Sequence, residues 1–271
     1  MTGEVMLAAV GAIAVLMLVT WLVSLWLHDA SIVDPVWPLG FVVVAWVVRA
    51  VADGDPARQW LLVAMVTLWG LRLSAYLAWR KHGAPEDYRY QAMRRRYGAR
   101  FGLISLITVF CLQGALMWVV SLPVQLGQIP EAPGLGLLAT VGVLVWAVGL
   151  AFETIGDAQL ARFKAEPTNS GRVMEHGLWR YTRHPNYFGD ACVWWGIALV
   201  AAESGLGAIG LIGALVMTIL LRRVSGVPLL ERSLMKRRAG YAAYVARTSP
   251  FLPRPPRNSV AVRHSEHSKS E

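Results

Sequence analysis

The chain has 271 residues, of which 55% are hydrophobic and only 16% charged, with a formal net charge of +9. Apolar runs of about 20 residues recur along it, which excludes an ordinary soluble domain and marks an integral membrane protein. The basic residues flank the apolar runs and form no continuous basic face, so they read as topology signals and as a rim for anionic lipid or cofactor, not as a nucleic-acid surface.

Hydropathy predicts seven spans, at about 5–27, 35–51, 59–80, 102–122, 134–155, 186–202 and 206–222. The first resembles a signal peptide in position, but Glu4 is the only charge before its apolar run and no small-residue cleavage site follows, so a retained helix is expected. Lys and Arg number 7 in segment 80–101, 5 in segment 156–186 and 11 from 222 onward, whereas Arg58 alone falls on the other side. This asymmetry predicts an outside N-terminus, with the long loops and the C-terminus in the cytoplasm. One all-helical domain is expected over 1–253, with a cytoplasmic cap of loops and short helices. The remainder, 254–271, is rich in Pro, Ser, His and charge and is expected to be disordered. Cys111 and Cys192 both fall in apolar runs without metal-ligand or paired spacing, so burial without a disulfide is expected.

The second span opens with Ser31-Ile-Val-Asp-Pro-Val-Trp-Pro38. Asp34 before Pro35 suits a helix cap. It equally suits a cavity shared with Trp37, where a partly desolvated carboxyl stays protonated and donates a hydrogen bond. In the third span Trp69, Arg72, Tyr76 and Arg80 follow at spacings of three, four and four and form one polar and aromatic stripe. Snorkelling accounts for Arg80 but poorly for Arg72, which lies two turns deeper. In the loop that follows, Asp87, Arg89 and Tyr90 form a mixed cluster beside that stripe, and the run Arg94-Arg-Arg96 reads as a positive-inside signal.

Glu153 and Asp157 lie one turn apart near the cytoplasmic end of the fifth span, with Lys164 two turns further on. Carboxylates there oppose the favourable dipole arrangement, which points to a partner such as a ribose hydroxyl or an arginine. The densest stretch is Gly177-Leu-Trp-Arg-Tyr-Thr-Arg-His-Pro-Asn-Tyr-Phe-Gly-Asp190. Pro185 suits the first turn of a helix, so a helix begins near His184 or Pro185. Asn186, Asp190 and Trp194 then share one face. Arg180, Arg183 and His184 sit just outside the helix N-terminus, where free N–H groups favour an anion, so this is a candidate phosphate and ribose site at a membrane edge. Glu231 and Gly240-Tyr-Ala-Ala-Tyr244 read as part of an amphipathic interfacial segment. There is no glycine fingerprint, P-loop, zinc spacing or nucleophile elbow, so no metal is expected and any nucleotide must be held by helices and their loops.

Taken together, Trp69 to Arg80, Asp87-Tyr-Arg-Tyr90, the stretch Gly177 to Asp190 and Ser225-Gly-Val-Pro-Leu-Leu-Glu231 resemble the bacterial membrane branch of the steroid 5-alpha-reductase family, over about Ser31 to Pro253. The shorter core Arg-His-Pro-x-Tyr is shared with isoprenylcysteine carboxyl methyltransferases. The resemblance implies a seven-helix bundle in which NADPH enters from the cytoplasm and reduces a C=C bond conjugated to a carbonyl. The substrate would be a 3-oxo-Δ4-steroid or a similar isoprenoid or lipid. By motif position it implies cofactor contacts at Arg80, Asp157, Lys164, Arg172, Asn186, Asp190 and Trp194, and a substrate-holding acid at Asp34. The wider candidate cofactor set adds Arg72, Asp87, Arg89, Tyr90, Arg180, Tyr181, Arg183, His184 and Tyr187.

One departure concerns the proton donor. The tyrosine that animal steroid reductases place in the third span falls on Trp69, which has no acidic hydroxyl. Charge developing on a substrate carbonyl needs a preorganised donor, and protonated Asp34 or Tyr76 is expected to supply it. Trp37, Trp69 and Trp118 are the candidate contacts for a flat or lipophilic substrate. The alternative function is an S-adenosylmethionine-dependent membrane methyltransferase. Those relatives usually carry paired glutamates in the C-terminal segment, where this chain has only Glu231 followed by basic residues. A transporter is a third reading, disfavoured by the absence of inverted repeats.

Overall fold

The computed structural model describes residues 1–131, 134–224, 227, 231, 234–236, 238 and 240–257. The described residues are helical, and their only strand-like pairing is an isolated bridge between Thr182 and Ser249. The principal helices are α1 (Thr2–Leu27), α2 (Val33–Val51), α3 (Pro56–Lys81), α4 (Tyr88–Tyr97), α5 (Phe101–Ser105), α6 (Leu112–Val120), α7 (Leu122–Leu126), α8 (Leu137–Ala165), α9 (Pro185–Ala202), α10 (Leu211–Ile219) and α11 (Tyr241–Arg247).

Among the described residues six helical stretches are long and apolar enough to cross a membrane: Thr2–Leu27, Ala30–Val51, Pro56–Lys81, Tyr88–Val120, Leu137–Ala165 and Leu206–Val224. These match six of the seven hydropathy runs. The seventh is helix α9, whose first turns carry Asn186 and Asp190 and dilute its apolar character. The fourth stretch is less regular than its composition suggests, because a π-helical segment, Leu106–Cys111, joins α5 to α6. The polar helix α4 forms the first ten residues of that stretch and lies before the predicted span 102–122.

The helix starts follow local chemistry. Asp55 accepts from the Arg58 N–H at 2.8 Å, with Pro56 at the first helical position of α3. Asp87 accepts from the Arg89 N–H at 2.9 Å and so caps α4. Pro185 opens α9 as its fixed φ predicts. Beyond the first helix, His28 takes a left-handed conformation (φ 54°) that ends α1.

The chain forms two compact units. The first comprises Met1–Val143 and Trp195–Ala214, the second Leu144–Trp194 and Leu215–Glu271 within its described residues. In the first unit, α1 buries Val5, Ala9, Ile13 and Met17 at intervals of four, and α2 packs on both α1 and α3. Close approach is possible because Gly70 faces the Pro38 carbonyl, and Ser74 Oγ donates to the Pro35 carbonyl beside that proline-bearing turn.

The same unit holds a wholly buried connection, residues 121–129. Backbone removed from water must find partners inside the protein, and long polar side chains supply them. Gln59 Nε2 donates to the carbonyls of Ala52 (2.8 Å) and Gln128 (2.9 Å), and Gln128 Nε2 to those of Ala45 and Val124. Arg58 is 1% exposed and donates to the Pro130 and Gly134 carbonyls, so its charge serves packing.

In the second unit α8 and α9 touch through glycine. A Cβ on Gly149 would lie 2.6 Å from the Gly189 carbonyl oxygen, and one on Gly189 would lie 2.5 Å from that of Gly149. Both figures are below any tolerable contact, and the obstacle is backbone that no rotamer change can move. Gly149→Val is therefore expected to destabilise the protein by about 1–3 kcal/mol through overpacking. A lowered unfolding midpoint in detergent checks this, and a midpoint equal to wild type would show that the two helices separate easily.

Candidate functional site

The second unit gathers most of the Gly177 to Asp190 stretch around one buried ion pair. Arg183 Nε donates to Glu231 Oε1 at 2.8 Å, and Nη2 donates to Oε2 at 3.2 Å, a two-pronged contact. The remaining donor, Nη1, reaches the Val245 and Thr248 carbonyls at 3.0 and 2.6 Å. Arg183 thus ties the segment before α9 to the C-terminal segment, which also lies alongside it through Arg183 N–H to Ser249 O and Thr182 Oγ1 to Phe251 O.

His184 shares this partner. Its Nε2 lies 3.0 Å from Glu231 Oε1, and its ring stacks on Tyr187 with centroids 5.2 Å apart. Burial disfavours the imidazolium and lowers its pKa, with the Glu231 carboxylate opposing. Burial would raise the Glu231 pKa, but hydrogen bonds from His184 and Arg183 outweigh it and hold that carboxyl below its ordinary value. A neutral imidazole beside an ionised carboxylate must carry its proton on Nε2, which leaves Nδ1 as a bare acceptor. Nδ1 is buried and has no hydrogen-bond partner.

A recess of about 130 Å³ adjoins these groups, lined by Phe163, Lys164, Arg172, Trp179, Arg183, His184, Arg238, Tyr241 and Tyr244 among others. Its floor is aromatic and its polar rim is cationic. Tyr244 Oη donates to the Trp179 carbonyl and Trp179 Nε1 to that of Gly156 at 3.0 Å, so two of its walls are fixed. Burial pushes the Tyr241 phenol up to about 12, which keeps it a neutral donor. Beside the recess Asn186 Nδ2 donates to Asp157 Oδ1 at 3.3 Å, while Asp190 and Trp194 are buried one and two turns along α9.

These ionisations predict an acid-sensitive unit. A histidine whose folded pKa lies below the usual 6.5 destabilises the fold as pH falls below 6.5, because the unfolded chain takes the proton first. Glu231 adds a second loss as pH falls below the usual 4.5 toward its lowered value. Melting temperature is therefore expected to decline in two stages on acidification. His184→Gln should remove the first stage and leave the second, and an unaltered profile would contradict this assignment.

The first unit brings together a different cluster. Arg89 Nη2 donates to Asp34 Oδ2 at 3.0 Å, Tyr90 Oη donates to Asp34 Oδ1 at 3.2 Å, and Gln113 Nε2 donates to Tyr90 Oη at 3.4 Å. Asp34 is the acceptor in both of its contacts, from the Arg89 guanidinium and the Tyr90 phenol. Asp87 anchors the cluster by accepting from Arg89 Nε at 2.8 Å. Burial alone would raise the Asp87 pKa, but the hydrogen bonds from Arg89 more than offset it. The loop is further pinned by Glu86, which receives Arg94 and the Ala30 N–H, and by Lys81 with Asp29 at 3.0 Å. A recess of about 180 Å³ lies over Asp34, Arg80, Lys81 and Asp87.

The remaining predicted residues are placed as follows. Tyr76 is flanked by the guanidiniums of Arg72 and Arg80, each 5.7 Å from its ring centroid. Trp37 donates to the Gln113 carbonyl at 3.3 Å and meets Phe41 edge-on. Trp69 is fully buried against Phe41 in the helix core, and Trp118 lines an apolar groove between α1 and α6. Tyr181 is exposed, and Arg180 lines a separate surface recess. Of the stretch Ser225 to Glu231 only Val227 and Glu231 are described, so its other residues lie outside the described set, as does the tail from 258. Gln113 is a structural participant that local spacing did not single out, while Trp179, Tyr241 and Tyr244 stood within quoted motifs without a site role. Among the described residues no group of three or more His, Cys, Asp or Glu side chains gathers as a metal site would require.

Residues 20–248 match the family model DUF1295, described as a protein of unknown function. The chain belongs to that family, a steroid 5-alpha-reductase-like family of membrane proteins. An uncharacterized protein of Schizosaccharomyces pombe is 23% identical over 215 residues, covering 69% of this chain and 62% of that protein. A protein of Ustilaginoidea virens named probable O-methyltransferase ustE is 38% identical over 69 residues, 26% of this chain and 23% of its own length. The chain thus spans less than two thirds of the length of these curated relatives. No solved structure matches.

Proposed function

We propose that this protein is an NADPH-dependent membrane reductase of a C=C bond conjugated to a carbonyl in a lipophilic substrate, a 3-oxo-Δ4-steroid or similar isoprenoid or lipid. The observation that carries the reading is the Tyr90 hydroxyl, oriented by Asp34 and Gln113 and backed by Arg89. Such a donor matches what an enone carbonyl needs as negative charge builds on its oxygen. The second unit fits a phosphorylated nucleotide. Lys164, Arg172 and Arg238 offer cations, the aromatic floor offers a stacking surface, and the bare His184 Nδ1 offers an acceptor for a ribose or amide donor.

When bound, NADPH would supply the hydride needed at the β-carbon. The chain's own residues do the rest. Tyr90 turns its O–H from Asp34 to the carbonyl oxygen, Gln113 continues to donate to the phenol oxygen, and Arg89 keeps the Asp34 carboxylate compensated meanwhile. A proton from solvent then completes the reduction at the α-carbon. In this reading α9 is a seventh span, the cofactor site faces the cytoplasm, and the protein resides in a bacterial inner membrane.

Deuterium from C4 of labelled NADPH should appear at the β-carbon of a 3-oxo-Δ4-steroid, or a simpler lipophilic enone, reduced by the reconstituted protein. A second reading, an S-adenosylmethionine-dependent methyltransferase, is favoured by the similarity to the protein named probable O-methyltransferase. Label passing instead from the S-methyl group to a lipid acceptor, with no deuterium transfer, would establish it and refute the reductase.

A further inference from the structure

Arg180 lies outside the recess that holds His184, in a second one of about 380 Å³ within the same unit. This recess is lined by Glu175, His176, Arg180, Arg247, Thr248, Pro256 and Arg257. Three guanidiniums and an imidazole therefore surround one cavity against a single carboxylate. Arg247 takes that carboxylate, through Nη2 to Glu175 Oε2. Among the described residues Arg180 and Arg257 have no carboxylate partner. Like charges held around one space repel, and the arrangement gains stability from an anion placed between them.

The walls of the recess are tied together by backbone bonds. The segment after α11 doubles back and is fastened by Arg254 N–H to Tyr181 O at 3.0 Å and Arg257 N–H to Arg247 O at 2.9 Å. The first of these bonds sets the segment beside Arg180, and the second sets Arg257 beside Arg247. Thr248, buried in the floor, follows Arg247 and has its carbonyl held by Arg183 Nη1. These bonds bring the backbones that carry Arg180, Arg247 and Arg257 together around one cavity before any ligand arrives, which lowers the ordering cost of binding.

We propose that this recess is a phosphate-group site distinct from the His184 recess, with Arg180, Arg247 and Arg257 as its ligands. Guanidinium forks match the paired oxygens of a phosphate. Two sources share that chemistry, the headgroup of an anionic phospholipid and a soluble phosphate or pyrophosphate. The site lies outside the membrane-crossing stretches, and its Arg180 stands shortly before α9, the seventh span of the proposed function, so either can reach it.

The test uses the full-length protein, as wild type and as R180Q and R257Q. Binding of phosphatidic acid is measured in nanodiscs of phosphatidylcholine doped with that lipid, and binding of inorganic pyrophosphate in detergent. Each single variant is expected to weaken the ligand by about tenfold, the loss of one charge-assisted contact. Loss confined to the nanodisc arm identifies a headgroup site, and loss confined to the pyrophosphate arm a soluble ligand. NADPH affinity is followed in parallel and should stay within about twofold, which separates this proposal from the reductase reading. Equal binding by wild type and both variants, or no binding in either arm, would overturn it, as would loss of NADPH affinity to the same extent in both variants.

Discussion

Tyr90→Phe is expected to lower turnover of an enone substrate by about 100- to 1,000-fold, the usual consequence of removing one donor from a site that stabilises developing oxyanion charge. NADPH affinity should be nearly unchanged, because the substitution removes one hydroxyl from the first unit and leaves the Lys164, Arg172 and His184 recess intact. Asp34→Asn should be milder in shape but still slow, since it removes one of the two carboxylates that hold Arg89 and lets the phenol turn away. Steady-state and pre-steady-state rates with a 3-oxo-Δ4-steroid distinguish these. A Tyr90→Phe protein as fast as wild type would move the donor role to Tyr76, where Phe substitution would then be the decisive change.

The second large effect belongs to Glu231. Its carboxylate is the shared partner of Arg183, whose side chain is 7% exposed, and of His184, which is 1% exposed. Glu231→Ala would leave a guanidinium buried without its counter-charge, at a cost of about 3–5 kcal/mol. Glu231→Gln keeps an acceptor for one of the two and should cost clearly less. Because Arg183 also holds the Val245 and Thr248 carbonyls, the loss should loosen the C-terminal segment as well. Denaturant unfolding in mixed micelles reads the stability, and protease sensitivity after Thr248 reads the loosening. A Glu231→Ala protein as stable as wild type would show that Arg183 finds water or lipid phosphate in its place.

The helices were legible because each is a long apolar run bounded by recognisable punctuation, such as Asp55-Pro56 before α3 and His184-Pro185 before α9. The short α4 was not, since ten residues rich in Arg carry little apolar periodicity, and its cap by Asp87 only acquires meaning beside Ser31 and Asp34. The π-helical segment Leu106–Cys111 was equally hidden, because composition does not distinguish it from an ordinary helix.

Within the candidate site, spacing grouped Arg180, Arg183 and His184 just outside the start of α9, and Arg183 and His184 line one recess. Spacing could not join His184 to Glu231, 47 residues later, nor Asp34 to Tyr90, 56 residues later. Such contacts are set by packing between helices. Arg180 shows the converse error of reading along the chain. It stands three residues from Arg183, yet the 3-10 turn Gly177–Arg180 directs it to a different recess.

The most direct measurement is thermal stability of the purified protein with NADPH, NADH and S-adenosylmethionine in parallel, since a ligand that binds only the folded state raises the melting temperature by mass action. A rise with NADPH, reduced by His184→Gln and absent with S-adenosylmethionine, is the expected result. A rise with S-adenosylmethionine alone would contradict the reductase assignment and make the His184 recess a methyl-donor site.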